Sequence, residues 1–140
     1  MRRADPGSSM EILVPIDGSD CSERALRFAA GMARRYEAEV HVVHFSEHAT
    51  EQTEELLREA EAVLEEEGVT GDSAVISDVR LSDVRYSDRV GEDVLRLVEE
   101  HDYDHVVMGH HGTGMVGRLI LGSAAETVVQ STEVPVTIIP

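Results

Sequence analysis

Apolar and polar positions alternate between two periods along the chain. Glu11-Ile12-Leu13-Val14-Pro15-Ile16 is a short continuous apolar run, which predicts a strand buried on both faces, with Pro15 tolerated near its end. Ala25, Leu26, Ala29, Met32, Ala33 and Tyr36 then recur at helical spacing, predicting a helix from about Asp20 to Tyr36 with Asp20 and Glu23 as its capping pair. Val40, Val42, Val43 and Phe45 mark a second strand. Thr50 opens a second helix with Leu56, Leu57, Ala60, Val63 and Leu64 inward, and Gly68 stops it.

Ala74, Val75, Ile76 and Val79 predict a third strand, and Leu81, Val84 and Tyr86 continue its alternation as an extension or a separate edge piece. Ser87 or Asp88 caps a helix with Val90, Val94, Leu97 and Val98 inward. A strand over Asp104 to Gly109, a glycine-rich loop, a helix over Ser123 to Ser131 and a last strand over Val134 to Ile139 complete the pattern. Strands alternating with helices imply an α/β fold: a single-domain open five-stranded parallel sheet with helices on both faces and right-handed crossovers. Residues 1–9 carry no period and read as a disordered lead, leaving one domain over 10–140.

Charge narrows the function classes. The chain has 28 acidic and 12 basic residues, a formal net charge of −16, and every basic residue is Arg. Without Lys there is no Walker-type P-loop and no Schiff-base lysine. So acidic a surface repels nucleic acid and anionic membrane, which argues against either as a partner. At molar salt the screening length falls to roughly 3 Å, so the composition suggests a halophilic protein from a salty cytoplasm. Folding followed against salt concentration checks this: full stability at physiological ionic strength would count against it.

The single cysteine, Cys21, cannot form an internal disulfide, which fits a reducing interior. Met1-Arg2-Arg3 is not followed by the apolar core of an export signal, and no run approaches the roughly twenty apolar residues of a membrane span, so a cytoplasmic location is expected. The eight Glu between residues 51 and 67 read as a solvated helix face.

The chemistry concentrates in Gly109-His110-His111-Gly112, nine further residues, and Gly122-Ser123. This stretch begins where an apolar strand ends and finishes where a helix begins. Backbone N–H groups of such a turn and helix start can seat a phosphate chain. A glycine-rich connection without a ligand is the competing reading. Gly112-Thr113-Gly114-Met115-Val116-Gly117 also spells G-x-G-x-x-G, but only one strand follows and no acid stands at its tip, so the dinucleotide fingerprint is accidental.

The wider spacing G-x2-G-x9-G-[S/T], with a first strand ending in Asp17-Gly18-Ser19, resembles the nucleotide-binding signature of the universal stress protein family. The resemblance covers Met10 to Pro140 and implies strand order 3-2-1-4-5, ATP or AMP as ligand with Mg²⁺ carried by the phosphates, and a homodimer through the strand Val134 to Ile139. It departs from the family pattern at Tyr86-Ser87-Asp88, where a Gly-x-Pro-like entry is usual.

By the same resemblance Pro15, Ile16 and Asp17 meet the adenosine, although an Asp ahead of Gly is also a common turn former. Val43 and Met108 could line the adenine slot or belong to the core. Gly109 and Gly112 would admit the phosphates, and Gly122, Ser123, Ala124 and Ala125 would offer N–H groups, with Ser123 also a candidate N-cap. Arg118 is the candidate cation, or the partner of a surface carboxylate. His110 and His111 lack the companion ligands of a metal site, and His41 and His44 fall on opposite strand faces. The leading reading is a nucleotide-responsive regulatory module in stress response. A slow ATPase and a nucleotide-free scaffold are the alternatives.

Overall fold

The structure, a computed structural model, describes residues 10–46, 50–76, 86–110 and 122–140, with side chains in 86–89 excepted. Nine elements follow in order: β1 Glu11–Pro15, α1 Asp20–Tyr36, β2 Glu39–Phe45, α2 Glu51–Glu67, β3 Gly71–Ile76, α3 Tyr86–Glu100, β4 His105–Gly109, α4 Ser123–Ser131 and β5 Val136–Ile139. All four strand pairings are parallel, and the sheet order is β3-β2-β1-β4-β5. The expected order therefore holds, and β1 and β4 lie side by side with Leu13 opposite Val106.

The continuous apolar runs are explained by two cores. Ile12, Val14, Val40, Val42 and Val107 face α1 and α2, joining Ala25, Leu26, Ala29, Ala60, Val63 and Leu64. Leu13, Val43, Phe45, Val106 and Met108 face α3 and α4, joining Val94, Ala125 and Val128. Successive strand residues serve opposite layers, so no polar position interrupts β1, at ~1.5–3 kcal/mol of burial per large aliphatic side chain.

Several boundaries differ from the sequence reading. Ser19, not Asp20, caps α1: its side chain accepts from the Ser22 N–H. The Ser19/Ser22 and Asp20/Glu23 pairs are offset by one residue, and propensity alone does not choose between them. Tyr36, expected inward, is 64% exposed. In the last turn of α1 only Ala33 stays buried, and Arg34 and Arg35 are exposed along with Tyr36.

Thr50 caps α2 as expected and Gly68 ends it in the left-handed conformation. Helix α3 already begins at Tyr86, so Ser87 and Asp88 stand inside it and Tyr86 is not strand. Val79, Leu81 and Val84 lie outside the described residues, as does the lead 1–9. Asp104 precedes β4, where its Oδ2 accepts from the Glu11 N–H at 2.8 Å, and β5 is shorter than Val134 to Ile139.

Candidate functional site

Strands β1 and β4 are parallel neighbours, so their carboxyl ends open on one rim of the sheet, where open α/β folds hold ligands. On the β1 side the ladder continues through Ile16, whose N–H donates to the Val43 carbonyl at 2.8 Å. The chain then turns at Asp17-Gly18-Ser19, with Gly18 at φ +88°, a conformation that Gly adopts freely. Asp17 Oδ1 accepts from the Ser19 N–H at 2.9 Å and from Ser19 Oγ at 2.6 Å, while the Asp17 N–H donates to Ser22 Oγ at 3.3 Å. This is the turn-forming role, and it locks the rim to the first turn of α1.

On the β4 side the His110 N–H donates to the Ile139 carbonyl at 2.8 Å, and the His110 carbonyl accepts from the Gly122 N–H at 2.6 Å. That second bond closes the base of the long connection and brings the two ends of the glycine motif together. Gly122, not Ser123, is the N-cap of α4 and supplies no side-chain cap, so Ser123 occupies the first helical position. Helix geometry leaves the N–H groups of the first turn, Ser123 to Ala125, without intrahelical partners at the same rim.

Gly109 has a packing reason of its own: a Cβ there would stand 2.6 Å from Cys21 Sγ, 3.0 Å from the Cys21 carbonyl carbon and 3.1 Å from the Ser22 nitrogen. The first turn of α1 lies directly on it. Gly112 and Arg118 fall outside the described residues. Pro15 ends β1 in register with Val43 of β2, and Ile16 belongs to the core on the α1/α2 face. Val43 and Met108, each 5% exposed, pack in the α3/α4 core. Ala125 is buried in that same core, with Ala124 packed against it.

Two features were missed by sequence reasoning. Ser22 knots the Asp17 turn, also donating from its Oγ to the Ser19 carbonyl at 3.1 Å. His44 Nδ1 donates to the Ile16 carbonyl at 2.8 Å and borders a hollow of about 680 Å³ at the tips of β1 and β2, shared with Ser46, Thr50 and Gln52. The signal for Ser22 was the Ser-x-x-Ser spacing. For His44 there was only a polar residue between Val43 and Phe45.

His41 and His44 do face opposite ways: His41 Nδ1 lies 3.0 Å from Asp72 Oδ1 and its Nε2 3.1 Å from Glu11 Oε1. The Nε2 contact is within ion-pair distance but is not aligned as a hydrogen bond. Beside this group the Tyr103 hydroxyl is pushed up, first by burial and then by Asp72 and Glu11. Among the described residues no three His, Cys, Asp or Glu side chains are placed to hold a metal ion, and no helix is long and apolar enough to cross a membrane.

Comparison with known proteins agrees with this architecture. The profile of the universal stress protein family matches residues 9–140. A universal stress protein of Thermus aquaticus is 31% identical over 135 residues, covering 91% of this chain and 96% of that protein. Among solved structures, a universal stress protein from Archaeoglobus fulgidus superposes with a TM-score of 0.74 at 29% identity, covering 95% of this chain and all (100%) of that one. A structure of the universal stress protein from the same organism in complex with dAMP gives 0.70 at 27% identity, covering 94% and 98%. With profile, relatives and strand order in agreement over nearly the whole chain, this protein belongs to the universal stress protein family.

Proposed function

We propose that this chain binds an adenine nucleotide, ATP or AMP, at the rim formed by the ends of β1 and β4, and acts in the cytoplasm as a nucleotide-responsive regulatory module in stress response. The observation that carries the reading is the Gly122 N–H to His110 carbonyl bond, which brings the ends of the glycine motif together beside β1. The dAMP complex of the Archaeoglobus fulgidus relative supports the ligand class.

In this reading Pro15, Ile16 and Asp17 border the nucleoside, with Val43 and Met108 behind it. Gly109, Gly112 and Gly122 keep the approach to the phosphates clear, and the N–H groups of Ser123, Ala124 and Ala125 receive their charge. Arg118 adds a cation, and Mg²⁺ arrives with the phosphates as part of the ligand.

The test is calorimetric titration with ATP and with AMP in molar KCl, on the parent chain and on Gly122→Val. Binding of at least one nucleotide is expected, weakened about tenfold or more in the variant, while its thermal midpoint reports any loss of folding. No heat with either nucleotide, together with no nucleotide released from the purified protein, would overturn the reading.

The same reading includes a homodimer. β5 is a terminal strand of the sheet, and antiparallel pairing with a second copy would satisfy its outer N–H and carbonyl groups. Sedimentation at micromolar concentration in high salt should give the dimer mass; a monomer there would refute it.

A further inference from the structure

The peptide joining Ile16 to Asp17 forms the β1 end of the rim, and side chains from two other elements hold its polar groups. Its carbonyl accepts from His44 Nδ1 of β2 at 2.8 Å, and its N–H donates to Ser22 Oγ of α1 at 3.3 Å. We propose that His44 is a positioning residue for the nucleotide: with Ser22 it fixes the plane of this peptide and so aims Asp17 at the nucleoside. The inference rests on the nucleotide reading above.

A trans peptide is one rigid plane with its carbonyl and N–H pointing opposite ways, so bonds at both ends oppose its rotation. The main chain fixes the approach to it, since the Ile16 N–H donates to the Val43 carbonyl at 2.8 Å. At the N–H end Ser22 is 5% exposed, and its Oγ donates onward to the Ser19 carbonyl at 3.1 Å, which ties that anchor to the first turn of α1. At the carbonyl end the half-buried His44 stands on the same strand face as Val40 and Val42. A carbonyl has no proton to give, so Nδ1 carries one, and this contact sets the tautomer of the ring.

The consequence is preorganisation. Gly18 follows at φ +88° with no side chain to resist turning, and the Asp17 carboxylate is the group that the turn swings. With the peptide plane clamped, Asp17 Oδ1 stays on the Ser19 N–H and Oγ, and the carboxylate keeps one direction before a ligand arrives. No ordering of the turn then opposes binding. Loss of the His44 bond should therefore weaken nucleotide binding beyond what loss of stability explains.

Asn and Gln separate the two ring nitrogens, because the Asn amide nitrogen reaches the place of Nδ1 and the Gln amide nitrogen that of Nε2. Calorimetric titration with ATP and with AMP in molar KCl compares the parent, His44→Asn, His44→Gln and Val40→Ala, a core control toward the foot of β2. His44→Gln should weaken binding about five- to tenfold and His44→Asn less than about threefold. Val40→Ala should lower Tm yet change affinity less than about twofold. Equal weakening by Asn and Gln, parent-like binding by His44→Gln, or as large a loss in Val40→Ala would each overturn the proposal.

Two readouts on the ligand-free protein separate this inference from the nucleotide reading. Amide exchange at Asp17 should quicken about fivefold in His44→Gln and less than about twofold in His44→Asn. Two-bond ¹H–¹⁵N spectra at about pH 8.5, where free imidazole is neutral, should show His44 with its proton on Nδ1. Unchanged exchange in His44→Gln, or a proton on Nε2 alone, would overturn the clamp even where the parent binds nucleotide. A parent that shows the exchange pattern but binds neither nucleotide would overturn the nucleotide reading, and the positioning role with it.

Discussion

Replacing Gly109 by Ala separates two reasons for a glycine at the end of β4. If that residue serves only the approach of phosphates, the substitution leaves the ligand-free protein as stable as before. The packing gives a different answer. The new Cβ would meet Cys21 Sγ at 2.6 Å, well inside van der Waals contact, and two backbone atoms of α1 at 3.0 and 3.1 Å. The sulfur can turn aside, but the backbone cannot easily retreat, because the Ser22 N–H is held by Ser19 Oγ at 3.2 Å and Ser19 by Asp17.

Overpacking of this kind costs about 1–3 kcal/mol, and a contact with backbone belongs in the upper half of that range. For a domain of this size about 2 kcal/mol corresponds to a fall of roughly 5–8 °C in Tm. Thermal and urea unfolding of the nucleotide-free protein in molar KCl measures it. Cys21→Ala in the Gly109→Ala background should recover part of the loss, about 1 kcal/mol, as the sulfur contact disappears and the backbone contacts stay. A Tm unchanged within about 2 °C, or no recovery in the double variant, would refute the argument that α1 rests on this glycine.

Glu37 ends α1 at φ 56°, the one non-glycine residue with positive φ among those described. Glu37→Gly should raise stability by about 0.5–1 kcal/mol, read as a higher urea midpoint at constant slope. His105, half-buried with its Nε2 2.7 Å from Thr137 Oγ1, has its pKa lowered from 6.5 by burial, so the fold favours the neutral ring. Its contribution is therefore complete well above pH 6.5 and is lost as pH falls from there through the lower folded value. Between about pH 7.5 and 5.5 the parent should lose more stability than His105→Gln, and equal losses would contradict the assignment.

The carboxylate of Asp17 shows where local reading stops. An Asp-Gly-Ser turn at a strand end is written in three letters. That its Oδ1 accepts from both the Ser19 N–H and Ser19 Oγ depends on where α1 starts, and the alternative capping pairs are one residue apart. Val43 and Met108 show the same limit. Their apolar character was plain, but which helices they pack beneath was decided by α3 and α4 closing over that face of the sheet.

Period and punctuation in the chain determined the alternation of strands and helices, the buried parallel sheet, the end of α2 at Gly68 and the spacing of the glycine motif. These follow from side-chain direction and backbone preference within a few residues. The tertiary structure alone decided that residues 110 and 122 bond to each other, that Gly109 is small because α1 lies on it, that Tyr36 points to water, and that His44 meets the Ile16 carbonyl. Each of these is a contact between segments remote in sequence, set by how helices of fixed rise cross strands of a different rise, and no window of neighbouring residues contains that information.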